Sequence, residues 1–143
     1  MESLNLSKIK EIDLNSYILE KDWKDLGTIA NLNKDGLELS LTKVEHAYCA
    51  MFPLILTNLE KKIFKNKILE INLKNISGKF NISLFNLIDN EIIETIVVFK
   101  RDEPIQKINF LLNNNCDHVL ISSLGDENTS FNINSINLYN YNE

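Results

Sequence analysis

The segment from Ile68 to Phe85 reads ILEINLKNISGKFNISLF, and its apolar and polar residues alternate on both sides of a Ser-Gly pair. A period of two is typical of half-buried β-strands, whose side chains point alternately to the two faces of a sheet. Gly78 can adopt the positive φ that tight hairpin turns require. We therefore predict an antiparallel hairpin with one face on a core and one face in water.

Further stretches of the chain carry the same strand-like patterns, separated by short turn signals. The last of them has a phase slip near Ser135, which predicts a β-bulge. Together with the first segment they make about eight strands, which predicts an all-β, antiparallel two-sheet β-sandwich of jelly-roll type. The stretches are 36–44, 46–52, 92–99, 108–112, 119–124 and 131–138.

The first 25 residues differ from the rest, because they mix apolar and charged residues without a clean period of two. We expect either a short N-terminal helix or a lead-in strand there. The length of 143 residues fits one domain of ordinary size. No linker, repeat or low-complexity tract interrupts it, so we predict a single domain over 1–143.

The charge of the chain argues against nucleic acid as a partner. The formal net charge is −5, from 15 basic and 20 acidic residues, whereas nucleic-acid binders normally present a basic stripe. The densest basic stretch comprises Lys61, Lys62, Lys65 and Lys67. We interpret it as a solvated loop between strands. The alternative is that it binds an anionic glycan or a phosphate group.

The chain shows neither an apolar core of a signal peptide in residues 1–10 nor an apolar run of about 18 residues that would span a membrane. We therefore expect a cytoplasmic protein, part of a larger protein, or export by a route without an N-terminal mark. Cys49 and Cys116 would be free thiols in a reducing compartment. In an exported protein they could form one bridge.

The order of these features resembles a known class of domain. Asp22-Trp23, Gly27, the strand that begins at Gly36, the central Ser-Gly segment and a closing strand FNINSINLYN follow one another along the chain. This order resembles the jelly-roll domains of carbohydrate-binding modules and the related galactose-binding-like β-sandwiches, over roughly 17–141. The resemblance implies a non-catalytic module whose partner is a glycan or the chain of a polysaccharide- or surface-glycan-processing enzyme.

Sugars are bound by aromatic rings that stack on the apolar face of the sugar, and by amides and carboxylates that contact its hydroxyls. Tyr139 and Tyr141 share a parity opposite to the neighbouring apolar residues, so a regular strand would place both on its outer face. With Asn137 and Asn140 beside them, they are the best candidate for a sugar platform. Trp23 is a further candidate, although a lone Trp also commonly caps a core.

The residues predict neither an enzyme nor a cofactor. No glycine-rich phosphate loop, GxSxG or HExxH is present, and the Ser, His and Asp residues are scattered. His46 and Cys49 would lie on opposite faces of a strand, so we predict no metal site. Asp126, Glu127 and Asn128 could help to hold a structural calcium ion, but three oxygen ligands are too few alone.

The alternative function is a structural or assembly module that contacts a partner chain, or a second copy of itself in a homo-oligomer, without a small ligand. It predicts an exposed apolar patch or an open edge strand. A glycan-binding module instead predicts that Trp23, Tyr139 and Tyr141 are exposed together.

Overall fold

The computed structural model describes residues 5–57, 59–60, 66–112, 116–125 and 127–142. Ten β-strands lie in this part of the chain, together with a 3-10 turn at Leu14–Ser16 and a short helix, α1, at Lys21–Asp25. The strands are β1 (Asn5–Glu11), β2 (Ile29–Asn33), β3 (Gly36–Leu41), β4 (Tyr48–Pro53), β5 (Lys67–Ser77), β6 (Lys79–Asn86), β7 (Glu91–Phe99), β8 (Gln106–Leu112), β9 (His118–Ser123) and β10 (Thr129–Asn142).

The strands form two antiparallel sheets that pack as a sandwich. The six-stranded sheet has the order β2-β3-β10-β5-β8, with β1 also paired to β10, and the four-stranded sheet has the order β4-β9-β6-β7. The prediction of an all-β, two-sheet sandwich is therefore confirmed. The eight predicted strands correspond to β3–β10, and β2 is an additional strand that the sequence did not predict. The predicted lead-in strand and short helix are both present, as β1 and α1.

The long strand β10 organises the six-stranded sheet. Its first part pairs with β3, its last part pairs with β1, and β5 runs along its other side. The register with β5 shifts between Ile133 and Ser135, which confirms the predicted bulge. Because the bulge adds one residue, Ile133 and Ile136 both face the core and both are fully buried.

The predicted hairpin between β5 and β6 is wrong. The two strands lie in different sheets, and the chain crosses from one sheet to the other at Gly78. Gly78 has φ +86°, and a Cβ there would lie 2.5 Å from Thr129 Oγ1 and 2.7 Å from the Asn128 carbonyl oxygen. Alternation indicates that each strand has one buried face. It does not distinguish two strands paired in one sheet from two strands in opposite sheets, because both arrangements bury one face of each strand.

The core fills the space between the two sheets. Phe80 of β6 and Phe131 of β10 stack across it, with ring centroids 3.8 Å apart and planes within 2° of parallel. The alternating Leu and Ile residues of β5 are completely buried beside them. Each fully buried Leu, Ile or Phe contributes about 1.5–3 kcal/mol, so these facing side chains hold the layers together.

Some sequence-based predictions concern residues outside the described ranges. They are the basic residues Lys61, Lys62 and Lys65, and Asp126 of the proposed calcium loop. Within the described ranges, both cysteines are free thiols. No helix in those ranges combines the length and the apolar character needed to cross a bilayer.

Candidate functional site

Four polar side chains meet on the outer face of the six-stranded sheet, and we call them the amide cluster: Glu70 and Asn72 of β5, and Ser135 and Asn137 of β10. Cross-strand pairing places Asn137 opposite Glu70 and Ser135 opposite Asn72. Asn72 Nδ2 donates to Glu70 Oε1 at 2.9 Å and to Ser135 Oγ at 2.8 Å. Asn137 Nδ2 donates to the same two oxygens, at 3.3 Å and 3.4 Å.

The amide cluster is buried and incompletely hydrogen-bonded. Asn72 is 8% exposed and Asn137 is 7% exposed, although both lie on the outer face. The Oδ1 atoms of both residues have no hydrogen-bond partner among the described residues. A buried acceptor left unpaired costs about 1–3 kcal/mol. A buried polar atom without a hydrogen-bond partner needs an explanation, and one explanation is that a ligand binds to it.

Tyr139 and Tyr141 lie on the same outer face as the amide cluster, because they share the parity of Asn137 beyond the bulge. Tyr139 pairs with Ile68 of β5, and both tyrosines are half-buried. Asn140 has the opposite parity and faces the other side of the sheet. The structure therefore brings Asn137, Tyr139 and Tyr141 together, and it does not bring Asn140 to that surface.

Trp23 lies on the opposite side of the sandwich. From α1 it packs on the outer face of the four-stranded sheet, where Tyr48 contacts it edge-to-face at 6.4 Å between ring centroids. Tyr48 in turn contacts Phe85 at 5.7 Å. We call this group the tryptophan cluster, and its members are Ile18, Trp23, Tyr48, Met51, Phe85 and Leu120. Trp23 is half-buried and does not share a surface with Tyr139 and Tyr141, so the prediction that the three rings are exposed together is wrong.

No protein-family model matches the chain, and no curated protein matches its sequence. Solved structures do match it. CBM29-2, a family 29 carbohydrate-binding module, has a TM-score of 0.61 at 13% identity, over 97% of this chain and 93% of that one. BiXyn10A CBM1 in its ligand-free form has a TM-score of 0.55 at 16% identity, over 92% of this chain and 96% of that one.

CBM29_1 from Piromyces equi, another family 29 module, also matches, with a TM-score of 0.53 at 12% identity over 96% of this chain and 91% of that one. The chain shares its β-sandwich fold with these carbohydrate-binding modules. This confirms the resemblance at the level of architecture. One of the matching CBM29-2 structures is a variant complexed with cellulohexaose.

Three members of the amide cluster were not among the candidate residues predicted from the sequence. Glu70, Asn72 and Ser135 stand at outward positions of their strands, as Asn137 does. Alternation in the sequence indicates that they face outward, but it does not indicate that β5 pairs with β10. The cross-strand register was the missing information, since the cluster exists only because Ser135 lies opposite Asn72.

The consecutive residues Cys116, Asp117 and His118 have the residue types of a catalytic triad, but their geometry does not activate the thiol. Cys116 Sγ contacts the His118 backbone carbonyl at 3.4 Å, and burial raises the pKa of this thiol to about 11. The thiolate, which is the nucleophile, is therefore scarce at neutral pH. Burial likewise raises the pKa of the Cys49 thiol.

Asp117 has a structural task in this arrangement. Its Oδ1 lies 2.7 Å from His118 Nδ1 and accepts a hydrogen bond from the Leu87 amide at 2.8 Å. Burial alone would raise the pKa of Asp117, but the hydrogen bonds from His118 and Leu87 outweigh it and lower that pKa. Within the described ranges, no three His, Cys, Asp or Glu side chains are grouped as metal ligands would be.

Proposed function

We propose that this chain is a non-catalytic carbohydrate-binding module whose glycan lies on the outer face of the six-stranded sheet. The observation that carries the proposal is the amide cluster beside Tyr139 and Tyr141, with two buried amide oxygens that lack hydrogen-bond partners. The fold shared with carbohydrate-binding modules supports it independently.

The chemistry of this face suits a sugar. The tyrosine rings offer faces for stacking against the apolar side of a sugar ring, and Ile68 extends that apolar surface. A sugar hydroxyl that donated to Asn72 Oδ1 or Asn137 Oδ1 would supply the missing hydrogen bond, after a small movement of the side chains that cover these atoms. From Ser135 to Tyr139 the strand extends about 13 Å, which suits a short oligosaccharide.

We also propose that the module works beside a polysaccharide- or surface-glycan-processing enzyme. A binding domain without activated catalytic groups contributes to such an enzyme by raising its local concentration on the substrate. The residue types of a triad occur together at 116–118, but their geometry does not activate the Cys116 thiol.

The proposal is tested by calorimetric titration with a panel of oligosaccharides, cellulohexaose included. We expect Tyr139→Ala and Tyr141→Ala each to weaken binding about tenfold or more, which corresponds to about 1.4 kcal/mol. Val97→Ala is the matched control, because it removes an apolar side chain that is 50% exposed on the outer face of the other sheet. It should leave the affinity unchanged.

Two outcomes would contradict the proposal. If no glycan in the panel binds, the function is wrong. If glycans bind but Trp23→Ala or Val97→Ala abolishes binding while Tyr139→Ala does not, the site lies on the four-stranded sheet instead. Circular dichroism of each variant confirms that a loss of binding is not a loss of fold.

A second candidate function is assembly with another copy of the chain through β7. This strand is an edge of the four-stranded sheet, and Ile92, Val97 and Phe99 on it are 45–50% exposed. An unpaired apolar edge favours strand addition. Sedimentation velocity should then show a dimer that Val97→Lys dissociates, whereas a monomer at every concentration would refute this candidate.

A further inference from the structure

A cleft of about 310 Å³ opens where β5 continues beyond the first residue of β8. The pairing of β5 with β8 ends at Leu73 and Gln106, so the next residues of β5 face the loop that connects β7 to β8. The side chains lining this space include Lys74, Arg101 and Gln106. We call it the basic cleft.

The basic cleft is positive in a chain whose net charge is −5. Lys74, Lys100 and Arg101 line it, and Glu103 is the one carboxylate among its described lining residues. Within the described ranges, none of these three cations lies within 4.0 Å of a carboxylate oxygen. Arg101 is positioned by Phe99, since its guanidinium lies 5.3 Å from the ring centroid.

The basic cleft is continuous with the amide cluster. A neighbouring groove of about 400 Å³ shares Arg101, Glu103 and Gln106 with it and includes Lys107. Lys107 Nζ lies 4.0 Å from Glu70 Oε2. Lys74 follows Asn72 by two residues on β5, so both side chains are on the outer face of the same strand.

One surface therefore changes character along its length. The tyrosines and Ile68 make an apolar end, the amide cluster makes a hydrogen-bonding middle in which Lys107 lies beside the Glu70 carboxylate, and Lys74 with Arg101 makes a cationic end. From Ile68 to Lys74 the strand rises about 20 Å. A ligand that matches all three parts is a saccharide chain with an anionic group at one end.

Resting on the proposed function, we infer that the glycan is acidic and that a carboxylate or sulfate of the sugar binds between Lys74 and Arg101. A guanidinium can bind such an oxyanion through two parallel N–H···O bonds. Carboxylate and sulfate groups both present negatively charged terminal oxygens to these donors. The basic cleft can therefore accept either group, and titration with each kind of oligosaccharide shows which one binds.

The test compares three oligosaccharides of equal length by calorimetry: a neutral one, one with uronate residues and one with sulfate esters. We expect at least one acidic ligand to bind about tenfold tighter than the neutral one, because charge-assisted hydrogen bonds are stronger than those between neutral groups. The advantage should shrink as NaCl is raised, since salt screens exposed charges.

The decisive variant is the double substitution Lys74→Gln, Arg101→Gln. It should reduce the affinity for the acidic ligand to that for the neutral ligand and leave the neutral affinity unchanged. Lys24→Gln, Lys34→Gln is the matched control, because it changes the net charge equally on exposed residues outside the basic cleft. This control should keep the preference for the acidic ligand.

The outcomes separate this inference from the proposed function. If neutral and acidic ligands bind equally well and both depend on Tyr139, the acidic preference is wrong while glycan binding stands. If no glycan binds, both fail, even where inorganic sulfate alone binds at the cleft. If the control variant loses the preference as well, net charge rather than the basic cleft explains it, and the inference is overturned.

Discussion

The outer face of the six-stranded sheet differs from that of the four-stranded sheet, although the same alternation of residues builds both. On the six-stranded sheet the outward residues include the polar amide cluster and, beside it, the half-buried Tyr139 and Tyr141. On the four-stranded sheet Met51, Phe85 and Leu120 point outward and are at most 3% exposed, because Ile18 and Trp23 cover them. The chain thus covers this part of the four-stranded sheet with its own side chains, whereas we propose a ligand for the six-stranded sheet.

The difference originates in one backbone contact. Ile18 and Met51 exchange two hydrogen bonds, with the Ile18 amide donating at 2.7 Å and the Met51 amide donating at 3.0 Å. This bridge lays the segment that leads into α1 along the edge of β4, so Trp23 reaches Tyr48. An apolar outward face is thus satisfied within the chain, whereas the amide cluster keeps two unpaired oxygens.

The largest expected effect on stability comes from the outer face of the four-stranded sheet, which Trp23 covers. Trp23→Ala should lower the free energy of unfolding by about 2 kcal/mol, roughly half of the 3–5 kcal/mol for a fully buried Trp, because the ring is half-buried. Tyr139→Ala should lower it by less, about 1 kcal/mol, because Tyr139 is half-buried too but packs against neither hydrophobic cluster of the described residues. Urea denaturation followed by circular dichroism measures both values.

Trp23→Phe serves as the control for that prediction, since it keeps an aromatic ring against Tyr48 and should recover part of the lost stability. The comparison between the faces fails if Tyr139→Ala destabilises the protein as much as Trp23→Ala does. In that case the tyrosine would be a packing residue and not part of a binding surface.

A smaller effect on stability is expected on the outer face of the six-stranded sheet, where it tests the same comparison. Asn72→Val should change the free energy of unfolding by less than about 1 kcal/mol, since it removes an unpaired buried oxygen along with two hydrogen bonds. The affinity for glycan should nevertheless fall. Asn81→Val is the matched control, because Asn81 Oδ1 is also buried without a partner among the described residues, but on the other sheet.

The Asn81→Val variant should bind glycan like the original chain. A large loss of stability in Asn72→Val with unchanged affinity would instead mean that the amide cluster is structural. Thermal unfolding and calorimetric titration of the same samples give the two readings side by side.

The sequence was sufficient to predict the inward and outward sides of most strands, but not the sheet in which each strand lies. Alternation around Gly78 is the same whether the chain turns within a sheet or crosses between sheets. β2 escaped prediction because four of its five residues are exposed, which leaves no buried face to produce a pattern. Trp23 could not be placed, since its position depends on the bridge between Ile18 and Met51.

The pairing of β10 has a consequence for synthesis. This strand follows every one of its partners in the chain, yet it lies between β5 on one side and β1 and β3 on the other. On the ribosome, those three strands emerge before the strand that joins them. The six-stranded sheet therefore cannot close until β10 has left the exit tunnel, so its three parts, namely β1, the β2–β3 pair and the β5–β8 pair, should join only after β10 has been synthesised.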